Sequence, residues 1–108
     1  MAASRRLRTE TFVGWLHRDG VTLFYEEAGG GEPPVLLVHG IACDHTYLAP
    51  QFEHFRGGHR VVAVDLRGHG RSDALLQYYT IERFADDLMD VRSAWDREAG
   101  RRRAQLGW

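Results

Sequence analysis

Val35-Leu36-Leu37-Val38-His39-Gly40 and Val61-Val62-Ala63-Val64-Asp65-Leu66-Arg67-Gly68 are the two stretches that decide the fold. Each is a short, continuous apolar run that ends in polar residues and a glycine. A strand with one wet face alternates apolar and polar residues. A continuous run is expected where both faces are buried, which is the habit of parallel sheets. Between the two runs, Thr46 to Arg56 carries Tyr47, Leu48, Phe52 and Phe55 at spacings of three and four. That spacing predicts a helix packed on the sheet. Strand, helix and strand form a βαβ unit with a right-handed crossover, so the fold class is α/β.

The flanking sequence extends this unit. Phe12 to His17 and Val21 to Glu27 are β-prone, and Arg18-Asp19-Gly20 between them predicts a hairpin, because Asp-Gly suits a tight turn. Gly29 to Pro34 reads as a loop. Residues 1–10 are polar and read as a loose N-terminus. Thr80 is placed to cap a second helix, with Glu82 in its first turn and Ile81, Phe84, Ala85, Leu88 and Trp95 as its apolar face. After Val91 the composition changes. The stretch RSAWDREAGRRRAQLGW holds five of the 14 arginines. The expected organisation is therefore a domain over 11–91 and an Arg-rich tail over 92–108, helical or disordered rather than a strand.

Composition bounds the function. The 108 residues are 44% hydrophobic and 27% charged, with formal net charge −1, which excludes collagen-like and fully disordered chains. Near-neutral charge argues against nucleic acid as a partner. No apolar run approaches the roughly 18 residues of a membrane span, and the basic start MAASRRLRTE has no apolar stretch behind it to act as a secretory signal. With one cysteine, Cys43, no internal disulfide is possible, and a cytoplasmic location is expected. All 14 basic residues are Arg and there is no Asn, a bias expected of GC-rich coding DNA.

In parallel sheets, ligand sites lie beyond the carboxyl ends of the strands. Two loops qualify, His39-Gly40-Ile41-Ala42 and Asp65-Leu66-Arg67-Gly68-His69-Gly70-Arg71-Ser72-Asp73. Most of their polar residues have structural readings. His39 is expected to pack and to hydrogen-bond within its loop. Asp65 is expected to bond backbone amides, and His69, Ser72 and Asp73 to close a turn. Cys43 reads as a small space-filler. His45, His54 and His59 lack metal-ligand spacing, so no metal is expected. Gly68-x-Gly70-x-x-Asp73 lacks the third glycine of a dinucleotide fingerprint, and Asp73 would place negative charge at the phosphate. With no P-loop either, no cofactor is expected.

The hairpin, VLLVHG, the helix, VVAVDLRGHGRSD and YTIERFADDL together resemble the N-terminal part of an α/β-hydrolase-fold enzyme, over roughly Gly20 to Val91. The resemblance implies that the loop after His39-Gly40 supplies one backbone N–H to an oxyanion hole, here the amide of Ile41, and that Gly40 lets the backbone approach the substrate. It implies a mainly structural role for the Asp65–Asp73 loop. It also implies a small-molecule substrate for the complete enzyme, of the ester, lactone or related class.

Such an enzyme needs a G-x-S-x-G elbow, then an acid, then a histidine. The chain contains no G-x-S-x-G, Ser93 lacks flanking glycines, and His69 is the last histidine. The chain as given is therefore expected to be catalytically silent. Arg103-Ala104-Gln105-Leu106-Gly107-Trp108 is compatible with codons that, one base forward, read Gly-His-Ser-Leu-Gly-Gly, a serine elbow where the fold requires one. A truncated or frameshifted hydrolase is thus the first expectation. The second is a non-catalytic interaction module. In the family the sheet continues beyond the VLLV strand, so that strand is expected to present an open edge, a route to self-association.

Overall fold

The computed structural model describes residues 10–74 and 79–105, with side chains of the last helix described as far as Arg97. The chain divides into two compact units, residues 1–76 and 77–108.

The first unit begins with the hairpin of β1 (Thr11–Arg18) and β2 (Val21–Ala28). Asp19 and Gly20 have φ of 48° and 76°. Two successive positive φ values make a type I′ turn, whose twist matches that of the flanking strands. β3 (Val35–Val38) and β4 (Val61–Val64) follow. Among the described residues the strands form one four-stranded sheet in the order β1-β2-β4-β3. β4 is antiparallel to β2 and parallel to β3.

The crossover from β3 to β4 differs in detail from the helix read over Thr46 to Arg56. A 3-10 turn over His45–Leu48 comes first, and α1 (Ala49–Phe55) starts after it, with Pro50 in its first turn. Proline is suited to that position because its missing N–H would have no helical partner there. Phe52 packs with Ala28, Val61 and Ala63, and Val35, Leu37 and Phe55 pack against that cluster. Burying a phenylalanine is worth about 1.5–3 kcal/mol, so Phe52 is the main anchor of α1 on the sheet. Tyr47 is not part of the apolar face: it is 71% exposed, because the 3-10 turn rotates it away from the Phe52 row.

All four residues of β4 are buried, as its continuous apolar run predicts. β3 departs from that expectation. It is only partly buried, and Val38 is 41% exposed, because β3 lies at an edge of the sheet. Val35 turns its N–H inward to Arg60 C=O (2.8 Å). In a parallel ladder alternate residues face opposite ways, so the backbone groups of Leu36 and Val38 face the open edge.

The second unit contains α2 (Ile81–Gln105). Thr80 Oγ1 accepts a hydrogen bond from Arg83 N–H at 3.1 Å, the N-cap expected from the sequence, with acidic Glu82 in the first turn. The helix runs through the change of composition at Val91 without a break. Phe84, Val91 and Trp95 share one face and are buried. Ile81 (74% exposed) and Ala85 (exposed) do not belong to that face, which corrects the apolar stripe read from the sequence. No described helix is long and apolar enough to cross a membrane.

Candidate functional site

The carboxyl ends of the parallel strands β3 and β4 lead into the two loops that the sequence singles out. The first loop is a tight turn. Cys43 N–H donates to Gly40 C=O at 3.1 Å, and Ala42 has φ +68°. A positive φ at the third residue of a four-residue turn, without one at the second, is the signature of a type II turn. Alanine carries a steric cost there that glycine would not. Among the described residues other than its two chain neighbours, no atom lies within 4 Å of where a Cβ on Gly40 would stand, and Ile41 is 64% exposed. Among the described residues nothing accepts a hydrogen bond from the Ile41 N–H. Its neighbour Ala42 N–H, by contrast, donates to His69 Nε2 at 3.0 Å.

Two histidines join the loops. Buried His39 accepts the Leu66 N–H on Nε2 (3.0 Å), which places its proton on Nδ1, and Nδ1 donates to Gly40 C=O at 2.7 Å. His69 has the same tautomer by the same logic. Its Nε2 accepts from Ala42, and its Nδ1 donates to Arg67 C=O at 3.0 Å. The two rings lie 5.2 Å apart. The hydrogen-bonding role read for His39 is thus seen directly, whereas His69 does more than close its own turn.

Asp65 organises the second loop. It is fully buried at the end of β4. Its Oδ1 accepts from His45 N–H (2.7 Å) and from His45 Nδ1 (2.8 Å), and its Oδ2 accepts from Arg71 N–H (2.9 Å). Ser72 Oγ donates to Asp65 C=O (2.6 Å) and accepts from Phe24 N–H (2.8 Å). Asp73 Oδ2 accepts from Thr22 N–H at 2.8 Å, and Asp73 N–H donates to Thr22 C=O at 2.9 Å. Ser72 and Asp73 therefore extend the pairing of the loop onto β2 as well as closing it. The Arg71 guanidinium lies 4.3 Å from the Phe24 ring centroid, a cation–π contact on the same strand.

Sequence reading did not single out Asp44 and gave His45 only a negative role. Asp44 caps the 3-10 turn, accepting from Thr46 N–H at 2.8 Å and from the Thr46 hydroxyl. The hydroxyl bond first, and the amide bond second, hold the Asp44 carboxyl below its ordinary value. The signal was present as Asp-x-Thr ahead of a Pro-started helix. His45 is nine-tenths buried, with Nδ1 on Asp65 and Nε2 3.3 Å from Glu26 Oε1. Ligand atoms of Asp44, His45 and Asp65 lie within 4.8 Å of one another. Each is already engaged, as a cap or as a clamp between the loop and β4. His54 and His59 lie elsewhere, on and just beyond α1, with His59 Nδ1 on Pro33 C=O.

The arrangement can offer one hydrogen-bond donor, the Ile41 amide, on a turn braced from below by two imidazoles. Ser72 is committed to Asp65 and Phe24, so its hydroxyl is not placed as a nucleophile.

Comparison with known proteins bears on the fold that carries these loops. Residues 33–99 match the family profile described as the alpha/beta hydrolase fold. A non-heme chloroperoxidase of Kitasatospora aureofaciens is 38% identical over 80 residues, covering 73% of this chain and 29% of that protein. A bifunctional esterase/perhydrolase of Acinetobacter calcoaceticus is 35% identical over 77 residues, covering 68% of this chain and 28% of its own length. The crystal structure of an epoxide hydrolase from Vigna radiata superposes with a TM-score of 0.74 at 27% identity, covering 82% of this chain and 30% of that one. The chain thus spans less than a third of the length of these relatives.

Proposed function

The chain belongs to the α/β hydrolase fold family, and we propose that it is the part of a serine hydrolase that carries one oxyanion-hole donor, the amide of Ile41, without the groups that make the nucleophile. The observation that carries this reading is the Ile41 N–H. It sits at the carboxyl end of β3, exposed and without an acceptor among the described residues, beside an open Gly40. A fixed amide dipole of this kind stabilises the negative oxygen that develops when a nucleophile attacks a carbonyl. The four-stranded sheet is the N-terminal part of the α/β-hydrolase fold.

The proposed substrate class follows from a serine elbow, which codons compatible with residues 103–108 would spell one base forward. A serine nucleophile suits esters, lactones and perhydrolytic chemistry, and the similarity to an esterase/perhydrolase supports that choice. The 108 residues alone lack G-x-S-x-G and any histidine after His69, so they hold a donor for a transition state they cannot form.

Two measurements test this reading together. The coding DNA is sequenced from about codon 85 to several hundred bases past codon 108, and the purified chain is assayed with p-nitrophenyl acetate. The expected results are a shifted frame that reads Gly-His-Ser-Leu-Gly-Gly and on to a late acid and histidine, and no saturable turnover by the chain itself. A shifted frame that soon closes, or saturable hydrolysis abolished by one internal substitution, overturns it.

The edge position of β3 favours a second reading, an interaction module that recruits a partner strand. A specific, stoichiometric complex in sedimentation, rather than monomer or mixed aggregate, distinguishes that case.

A further inference from the structure

We infer that His69 is the positioning residue for the Ile41–Ala42 peptide, the one that adjoins the Ile41 amide, and that it selects the observed form of the turn. This rests on the reading of Ile41 as an oxyanion donor, and it adds what sets the direction of the peptide dipole next to that donor.

The turn Gly40–Cys43 can exist in two forms that share the Cys43 N–H to Gly40 C=O bond. They differ by a flip of the central peptide, Ile41–Ala42. The type I form costs an alanine less, because its third residue has negative φ. The observed form has Ala42 at φ +68°. The flip exchanges the directions of the Ala42 N–H and the Ile41 C=O. In the observed form the Ala42 N–H meets His69 Nε2 at 3.0 Å. In the flipped form the Ile41 carbonyl would turn toward the acceptor nitrogen of His69, two lone pairs facing each other. One imidazole nitrogen thus rewards the strained turn and penalises the relaxed one.

His69 is itself aimed. Its Nδ1–H is held by Arg67 C=O at 3.0 Å, so Nε2 must be the acceptor. The loop that carries it is fastened to β4 and β2 by Asp65, Ser72 and Asp73. His39 does not duplicate this role. It holds Leu66 N–H and Gly40 C=O, and so the Gly40–Ile41 peptide that carries the Ile41 N–H itself, which is the same in both forms of the turn, and it leaves the Ile41–Ala42 peptide unconstrained. The consequence for the site is electrostatic. The Ile41–Ala42 dipole adjoins the Ile41 N–H, and the flip reverses it beside the place where a negative oxygen would develop.

The experiment uses the chain as it stands, labelled with nitrogen-15. An N–H···N hydrogen bond transmits a scalar coupling between its two nitrogens. The expected result is a coupling between Ala42 N and His69 Nε2. In His69→Phe, which keeps a flat ring and removes the acceptor, that coupling is gone and Ala42 amide exchange rises about tenfold, the worth of one ordinary hydrogen bond. In His69→Gln, whose side-chain oxygen can accept in place of Nε2, exchange returns toward the original rate. Exchange of the Leu66 amide, held by His39, stays unchanged in both variants. Absence of the coupling overturns the inference, as does Ala42 exchange that is the same in His69→Phe. If His69→Phe unfolds, with the Leu66 amide losing protection as well, the coupling in the parent chain and the His69→Gln rates decide. None of these readouts depends on catalysis. A positive result with no role for Ile41 in hydrolysis would therefore remove the functional reading and leave the positioning of the turn intact.

Discussion

The carboxylate of Asp65 fills the space in which a Cβ on Gly70 would stand, so loop and side chain are built around each other. Gly70 has φ +51°, a left-handed conformation that brings its backbone against the Asp65 oxygens. The next residue, Arg71, then donates its N–H to Asp65 Oδ2. Gly70→Ala meets both penalties, the left-handed backbone and the overlap with a buried carboxylate. The expected loss is about 2–4 kcal/mol. Urea unfolding monitored by Trp fluorescence checks it, and a midpoint equal to that of the parent chain would contradict it.

Asp44 carries a pH signature. Its carboxyl is held below the ordinary value of 3.8, first by the Thr46 hydroxyl and then by the Thr46 amide. A depressed acid stabilises the fold above its unfolded pKa and loses that contribution as pH falls through the folded pKa. Asp44→Ala is therefore expected to lower the melting temperature at pH 7. The gap between variant and parent should close as pH drops below the ordinary carboxylate range. A gap that is constant with pH would show that the cap does not act through its charge.

Ile41→Pro is the direct test of the donor. Proline is favoured at the second position of a type II turn and has no N–H, so the turn persists while the donor disappears. If sequencing finds the shifted frame with its serine elbow, kcat of that longer product for an ester is expected to fall on the order of 10²-fold with little change in KM. An unchanged kcat would remove Ile41 from the mechanism.

Local chemistry made several elements legible without coordinates. Asp19-Gly20 dictates a type I′ turn because both positions need positive φ, and the hairpin follows from it. Thr80 is a cap because its hydroxyl reaches the third amide of the helix it precedes. Val61–Val64 is a buried strand because nothing in it tolerates water. The errors came where neighbours outside the local window decide. Tyr47 has the right spacing for the helix face, yet a 3-10 turn over His45–Leu48 points it to solvent. Val35–Val38 reads like Val61–Val64, and only the strand order shows that it is an edge. Ile81 is apolar and exposed at the very start of its helix.

The site divides in the same way. By itself the sequence determined the two strands and the loops at their carboxyl ends, because periodicity is a local property, while Gly40 and Ile41 were singled out by the family resemblance that those motifs carry. It could not determine that His69 holds Ala42, that His39 holds Leu66, or that His45 closes on Asp65. Those partners lie 20 to 27 residues apart in the chain. Only the parallel pairing of β3 with β4 brings their loops side by side, and a hydrogen bond exists only where donor and acceptor come within about 3 Å.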